Sequence, residues 1–127
     1  MKVIHARAQG LPSEQRTATF TGTVWADPVM QATDNVAINN VCFSPGGRTH
    51  WHSHELGQVL HVLAGCGWVC KDGEAPQVIR TGDVVWIAPN ERHWHGAAAG
   101  SYMVHMATSL GKTTWQSAVE AHEYPAA

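Results

Sequence analysis

His50, His52 and His54 stand at alternate positions in the run GGRTHWHSHELGQ, and Gln58 follows four residues after the last of them. A second alternating pair, His93 and His95, sits in RHWHG. Imidazole is the commonest protein ligand for metals. A lone histidine in a strand is ordinarily a hydrogen-bonded core or surface residue. An alternating pair is different: side chains two apart on a strand share a face and can grip one ion from two sides. A third histidine from a distant strand and an oxygen donor would complete the set. On a helix, His50 and His54 would align while His52 pointed nearly the opposite way. Gly46 and Gly47 before the run, and the β-branched residues after it, favour the strand.

The strand reading fixes which neighbours face together. His50, His52 and His54 share one face, with Trp51 and Ser53 opposed. After a turn at Glu55–Gly57, Gln58, Leu60 and Val62 share a face, and Val59 and His61 take the other. His93 and His95 face together with Trp94 opposed, and in SYMVHMATSL (101–110) His105 shares a face with Met103 and Ala107. The rest of the chain supplies more strands. FTGTVWADPVM (20–30) carries a turn signal at Asp27-Pro28, and NVAINNVCFSPGG (35–47) alternates until Pro45-Gly46-Gly47. Residues 56–73 read as two short strands punctuated by Gly65 and Gly67 and closed by Asp72-Gly73. Strands to Arg80 and to Ile87 flank a turn at Thr81-Gly82-Asp83. Only TTWQSAVEAHEY (113–124) has helical spacing, with Trp115, Val119 and His122 on one side. Many short strands in one domain predict an all-β sandwich or barrel with a short C-terminal helical segment.

Bulk properties narrow the function. A chain of 127 residues with 44% hydrophobic residues and six tryptophans can bury one core, so a single domain over 1–127 is expected. Trp51, Trp68, Trp86 and Trp94 read as packing anchors. A net charge of −2 without a basic run argues against nucleic acid and anionic membrane as partners. No apolar run approaches the ~20 residues that a membrane-spanning helix needs. The N-terminal MKVIHARAQG lacks the apolar stretch of a secretory signal, and three cysteines are an odd number, so a cytoplasmic address is expected. Cys66 and Cys70 read as small buried hydrophobes.

The same residues resemble a known family. Gly46, His52-x-His54, Gln58 and Gly65 are similar in type and spacing to the first cupin motif (46–65), with Gln58 where most cupins carry Glu. Gly82, Ala88-x-Asn90 and His93 resemble the second motif (82–97), with Ala88 for the usual Pro, Asn90 for the usual Gly and Ala97 for the usual Asn. Asn tolerates the left-handed backbone better than most residues, so the turn should survive. Over almost the whole chain, FTGTVWADP, GCGWV, GDVVWIAPNERHWHGAA and HMA resemble the small bacterial cupins that include manganese-dependent hydroxynitrile lyases. The resemblance implies a conical β-barrel (double-stranded β-helix, jelly roll) with one divalent metal per chain. Manganese is favoured, with iron, zinc, nickel or cobalt compatible. It implies His52, His54, Gln58 and His93 as metal ligands and His95 and His105 as catalytic groups beside the metal. Thr49, Val41, Phe43 and Leu60 are expected to line a substrate pocket, and His50 to add a polar group near its mouth. It also implies a homodimer or higher homo-oligomer, with the FTGTVWADP strand contributing.

The donor types point to a reaction class. Three imidazoles and an amide are all neutral, so an ion among them keeps its full charge and acts as a stronger electrophile than one facing a carboxylate. Mixed nitrogen and oxygen donors suit several divalent metals, and affinity alone does not choose among them. With free histidines nearby, Lewis-acid and base chemistry on a small molecule is expected, and the resemblance implies cyanohydrin cleavage as the leading form of it. A small dioxygenase or another cupin lyase or decarboxylase is the alternative. A metal-bearing ligand-binding module without turnover is the third reading.

Overall fold

The computed structural model describes residues 1–5 and 10–126 of the chain. Among the described residues, twelve strands pair throughout in antiparallel fashion. The spine of the curled sheet runs β1 (Glu14–Gln15), β3 (Val24–Thr33), β4 (Val36–Phe43), β11 (Met103–Leu110), β7 (Gln58–Lys71), β10 (His93–Ala97), β5 (Arg48–Thr49), β2 (Phe20–Thr21). Beside this spine, β6 (His52–His54) pairs with β10 and with β12 (Thr113–Trp115), while β8 (Gln77–Arg80) and β9 (Val84–Ile87) both pair with β7. The architecture is the expected all-β barrel.

The barrel curls because β7 belongs to both of its walls. Residues 58–61 of β7 pair with β9 and 58–65 with β11, whereas 66–71 pair with β8 and β10. The two short strands read from sequence are therefore one strand that changes partners at its glycines. At the crossing Gly65 has φ +75°, and a Cβ there would sit 2.0 Å from the Tyr102 carbonyl oxygen, so no other residue fits without moving backbone.

Two sequence expectations are corrected. Asp27-Pro28 is not a turn: β3 continues to Thr33, and Pro28 sits beside a register shift. Proline is tolerated there because the irregularity between Pro28 and Met30 already interrupts the ladder with β4. The hairpin instead closes at Asp34-Asn35, with φ +49° and +66°, the positive pair that a two-residue turn of this twist requires. The C-terminal helical segment is only a 3-10 turn, Ala121–Glu123. Residues 113–115 form strand β12 instead, because pairing with β6 satisfies backbone that a short isolated helix could not hold.

Two packing layers support the site. Val24, Val41, Phe43, Val62, Ile79, Ala97 and Met103 make the main core. Each large apolar side chain buried here contributes on the order of 1.5–3 kcal/mol. Trp51, Cys70, Trp94 and Val119 form a second cluster on the far side of the histidine strands, with Trp68 packed against it. Trp86 is 57% exposed and anchors no core in the single chain. Of the cysteines, Cys70 is buried, Cys66 half-buried and Cys42 exposed, all as free thiols.

Candidate metal centre

Cross-strand pairing assembles the histidines. His93 of β10 lies opposite His52 of β6, bringing their ring centroids to 4.1 Å. His54 is 5.0 Å from His52 and 5.5 Å from His93 by the same measure. His52, His54, Gln58, His93, His95 and His105 are all buried. His52, His93 and His95 bring ring nitrogens within 4.8 Å of one another and could hold a metal ion. That set differs from the expected donors, because it includes His95 and leaves out His54.

Hydrogen bonds decide which nitrogens are free. The Nδ1–H of His52 donates to the carbonyl of His50, and that of His93 to the carbonyl of Glu91, each at 2.9 Å. A carbonyl can only accept, so both rings carry their proton on Nδ1 and keep a lone pair on Nε2. His54 Nδ1 is 3.0 Å from the Thr113 hydroxyl, its register partner on β12, and its buried Nε2 has no partner. The Gln58 amide donates from Nε2 to the Ser109 hydroxyl at 3.0 Å, which turns Oε1 inward. Oε1 then stands 3.2 Å from His93 Nε2. These are two acceptors facing each other with no proton between them, an arrangement that a cation resolves. Burial holds His52 and His93 below the ordinary imidazole range and takes His54 down to about 4, so the rings are neutral donors near pH 7. The donor set fits a divalent ion.

A second pair lies beside it. His105 Nε2 is 2.9 Å from His95 Nδ1, and the outer nitrogens, His105 Nδ1 and His95 Nε2, are buried without partners. Burial pushes His105 down to about 4, and burial with His105 nearby holds His95 well below its usual value. Since one proton occupies the shared bond, the two tautomers exchange roles. In either one, one outer nitrogen is a lone pair and the other an N–H.

His52, His54, Gln58, His95 and His105 floor a cavity of about 270 Å³, near the lower bound of ~300 Å³ for small-molecule sites, while His93 does not reach its wall. Of the residues expected around a substrate, Thr49 and Val41 line this cavity and His50, Phe43 and Leu60 do not. His50 sits between β5 and β6, where the chain bends and strand alternation lapses, and it is half-buried outside the wall. Phe43 lies in the core beneath the wall, 5.1 Å from the His105 ring. Leu60 packs on Ile87 and Ala107. His61 is on the outward face of β7, away from the cluster, as the alternation predicts. Asn90 has φ +62°, so it adopts the backbone of the glycine it replaces in the motif.

Sequence reasoning missed Ser109, Thr113, Trp115 and Phe20 in the wall. Ser109 carries the same alternation as His105 and was findable by parity. Thr113 and Trp115 alternate too, but helical spacing hid them. Thr113→Val and Ser109→Ala should each weaken metal binding about 10–100-fold, the usual cost of losing a group that orients a ligand. Competition with a metal-sensitive dye measures this, and unchanged affinity in both variants would mean that neither hydroxyl orients a donor.

A model of the cupin domain matches residues 39–108. An (R)-mandelonitrile lyase of Granulicella tundricola is 56% identical over 90 residues, covering 69% of this chain and 69% of that protein. Among solved structures, a cupin-like protein of Thermotoga maritima superposes with a TM-score of 0.83 at 38% identity, over 87% of this chain and 89% of that one. A polyketide cyclase of Streptomyces resistomycificus superposes with a TM-score of 0.74 at 19% identity, over 99% and 90% of the two chains.

Proposed function

The chain belongs to the cupin family, and from that premise we propose that it is a divalent-metal-dependent lyase that cleaves or forms cyanohydrins such as mandelonitrile. The observation that carries this reading is the His95–His105 pair set beside a cluster of neutral donors on one cavity floor. The name of the Granulicella relative supports the substrate class.

His52, His54, Gln58 and His93 would hold the ion. A divalent ion bound there supplies Lewis acidity, undiminished by any carboxylate among the donors. The remaining work falls to the chain. The lone pair of the His95–His105 pair takes the cyanohydrin hydroxyl proton. The carbon–carbon bond breaks as the carbonyl forms, and its electron pair leaves with cyanide. The N–H at the pair's other end protonates the cyanide, so one proton enters and one leaves. The buried floor keeps bulk water from competing for either. His95 stays with His105 in this reading because their 2.9 Å bond makes them one proton-carrying unit, although the Nε2 of His95, like that of His54, has no other partner.

Release of cyanide from mandelonitrile by protein reloaded with single metals tests the proposal. No release with any divalent ion would sink it, and oxygen uptake in its place would favour the dioxygenase reading. Gln58→Glu offers a sharper test. It keeps an oxygen donor near the same position and adds a negative charge. Metal should bind at least as tightly while cleavage slows, and equal or faster cleavage would mean that the neutral amide does not set the electrophile.

The same reading extends to assembly as a homodimer. Trp25, Leu63, Val84 and Trp86 are 44%, 42%, 65% and 57% exposed, apolar side chains that a partner copy would cover. Sedimentation should find a dimer that Trp86→Asp weakens, and a monomeric wild type would remove the proposal.

A further inference from the structure

Trp115 and Phe20 have no part in the donor set or the proton-carrying pair, yet both line the cavity. Trp115 stacks on His52, with centroids 4.5 Å apart and planes inclined by 28°. Phe20 leans on Trp115 at 5.5 Å and on Phe43 at 6.3 Å. Phe43 in turn meets His105. An aromatic arc therefore runs from a candidate metal ligand to a candidate base.

Packing explains the part of Trp115 that covers His52. The remaining 39% of this residue stays open, and because Trp115 lines the cavity, part of the indole is within reach of a small molecule there. The strands β3 and β4 contribute Ala26, Ala37, Asn39 and Val41 to the same cavity, none longer than asparagine. A cavity with an indole in one wall and short side chains in another suits a flat ring.

We propose that Trp115, flanked by Phe20, is an aryl-binding subsite that stacks on the aromatic ring of a small ligand and sets the cavity's preference for aryl over saturated substituents. The subsite rests on the lyase reading for the identity of the reacting group, although ring binding itself needs no turnover. Stacking on His52 places the bound ring beside the candidate metal ligands, so the substituent on the ring reaches the donor cluster and the His95–His105 pair.

The probe is a matched pair of unreactive alcohols, benzyl alcohol and cyclohexylmethanol, titrated by NMR into metal-loaded wild type, Trp115→Leu, Trp115→Phe and Phe20→Leu. Wild type should bind benzyl alcohol roughly three- to tenfold more tightly than its saturated counterpart, the gain expected from one aromatic stack. Trp115→Leu should erase that preference, Trp115→Phe should keep most of it, and Phe20→Leu should reduce it. An equal preference in wild type and Trp115→Leu, or none in wild type, would overturn the subsite. Should Trp115→Leu lose its fold through weakened β12 pairing, nuclear Overhauser contacts between the benzyl ring and the Trp115 indole in wild type decide the matter, and their absence counts against the proposal. Trp115-dependent ring binding without cyanohydrin cleavage would leave the subsite standing and remove the lyase. Cleavage without that dependence would remove the subsite alone.

Discussion

His52→Ala and His93→Ala proteins should each lose most of their bound divalent metal, whereas His61→Ala should keep a full complement. His52 and His93 lie opposite each other across β6 and β10, and both hold their Nδ1 protons on backbone carbonyls, so their Nε2 lone pairs converge. Losing a group that merely orients a ligand typically weakens binding about 10–100-fold. Losing the ligand itself should cost more than that. His61 serves as the internal control because it is the nearest histidine in sequence to Gln58 and points outward. Elemental analysis of each purified variant checks the result. Metal retained by His52→Ala but lost by His61→Ala would invert the assignment of faces along these strands.

His105→Ala should lower the rate of mandelonitrile cleavage by about 10²–10⁴, the range for removing general acid–base assistance, at unchanged metal content. His105 is fully buried against Phe43, so the truncation leaves a cavity and the melting temperature should fall somewhat. Rates are therefore compared per metal-loaded protein, well below that temperature. The pH profile separates a proton carrier from a packing residue. Burial takes the His105 ring down to about 4, so its neutral, proton-accepting form persists from neutral pH down to that region. Wild-type cleavage should stay level as pH falls toward 5 and decline only near 4, where the ring gains a proton. Over the range in which metal content is unchanged, His105→Ala should lack that acid limb, because protonation of His54 near 4 acts through metal loss instead. Identical profiles would pass the role to His95.

Much of this site was legible from alternation alone. Period two along a strand placed His52 with His54, His93 with His95, and His105 with Met103 and Ala107, all on buried faces. The same rule turned His61 outward. It failed at His50, because alternation holds only while the chain stays extended and the bend between β5 and β6 ends it. It failed again at Trp115, where three- and four-residue spacing suggested a helix and β6 offered a strand partner, His52, far away in sequence.

The sequence by itself therefore determined the donor types, their neutrality, the faces they share and the family to which they belong. Only the tertiary structure decided how the other donors are oriented. His52 and His93 find their Nδ1 partners locally, on carbonyls two residues upstream, but the remaining partners come from elsewhere: Thr113 for His54, Ser109 for the Gln58 amide, and each other for His95 and His105. Side-chain facing is a local property of the extended backbone, written in adjacent residues. Hydrogen-bond partnership across strands is a property of register, and register exists only after the sheet has closed.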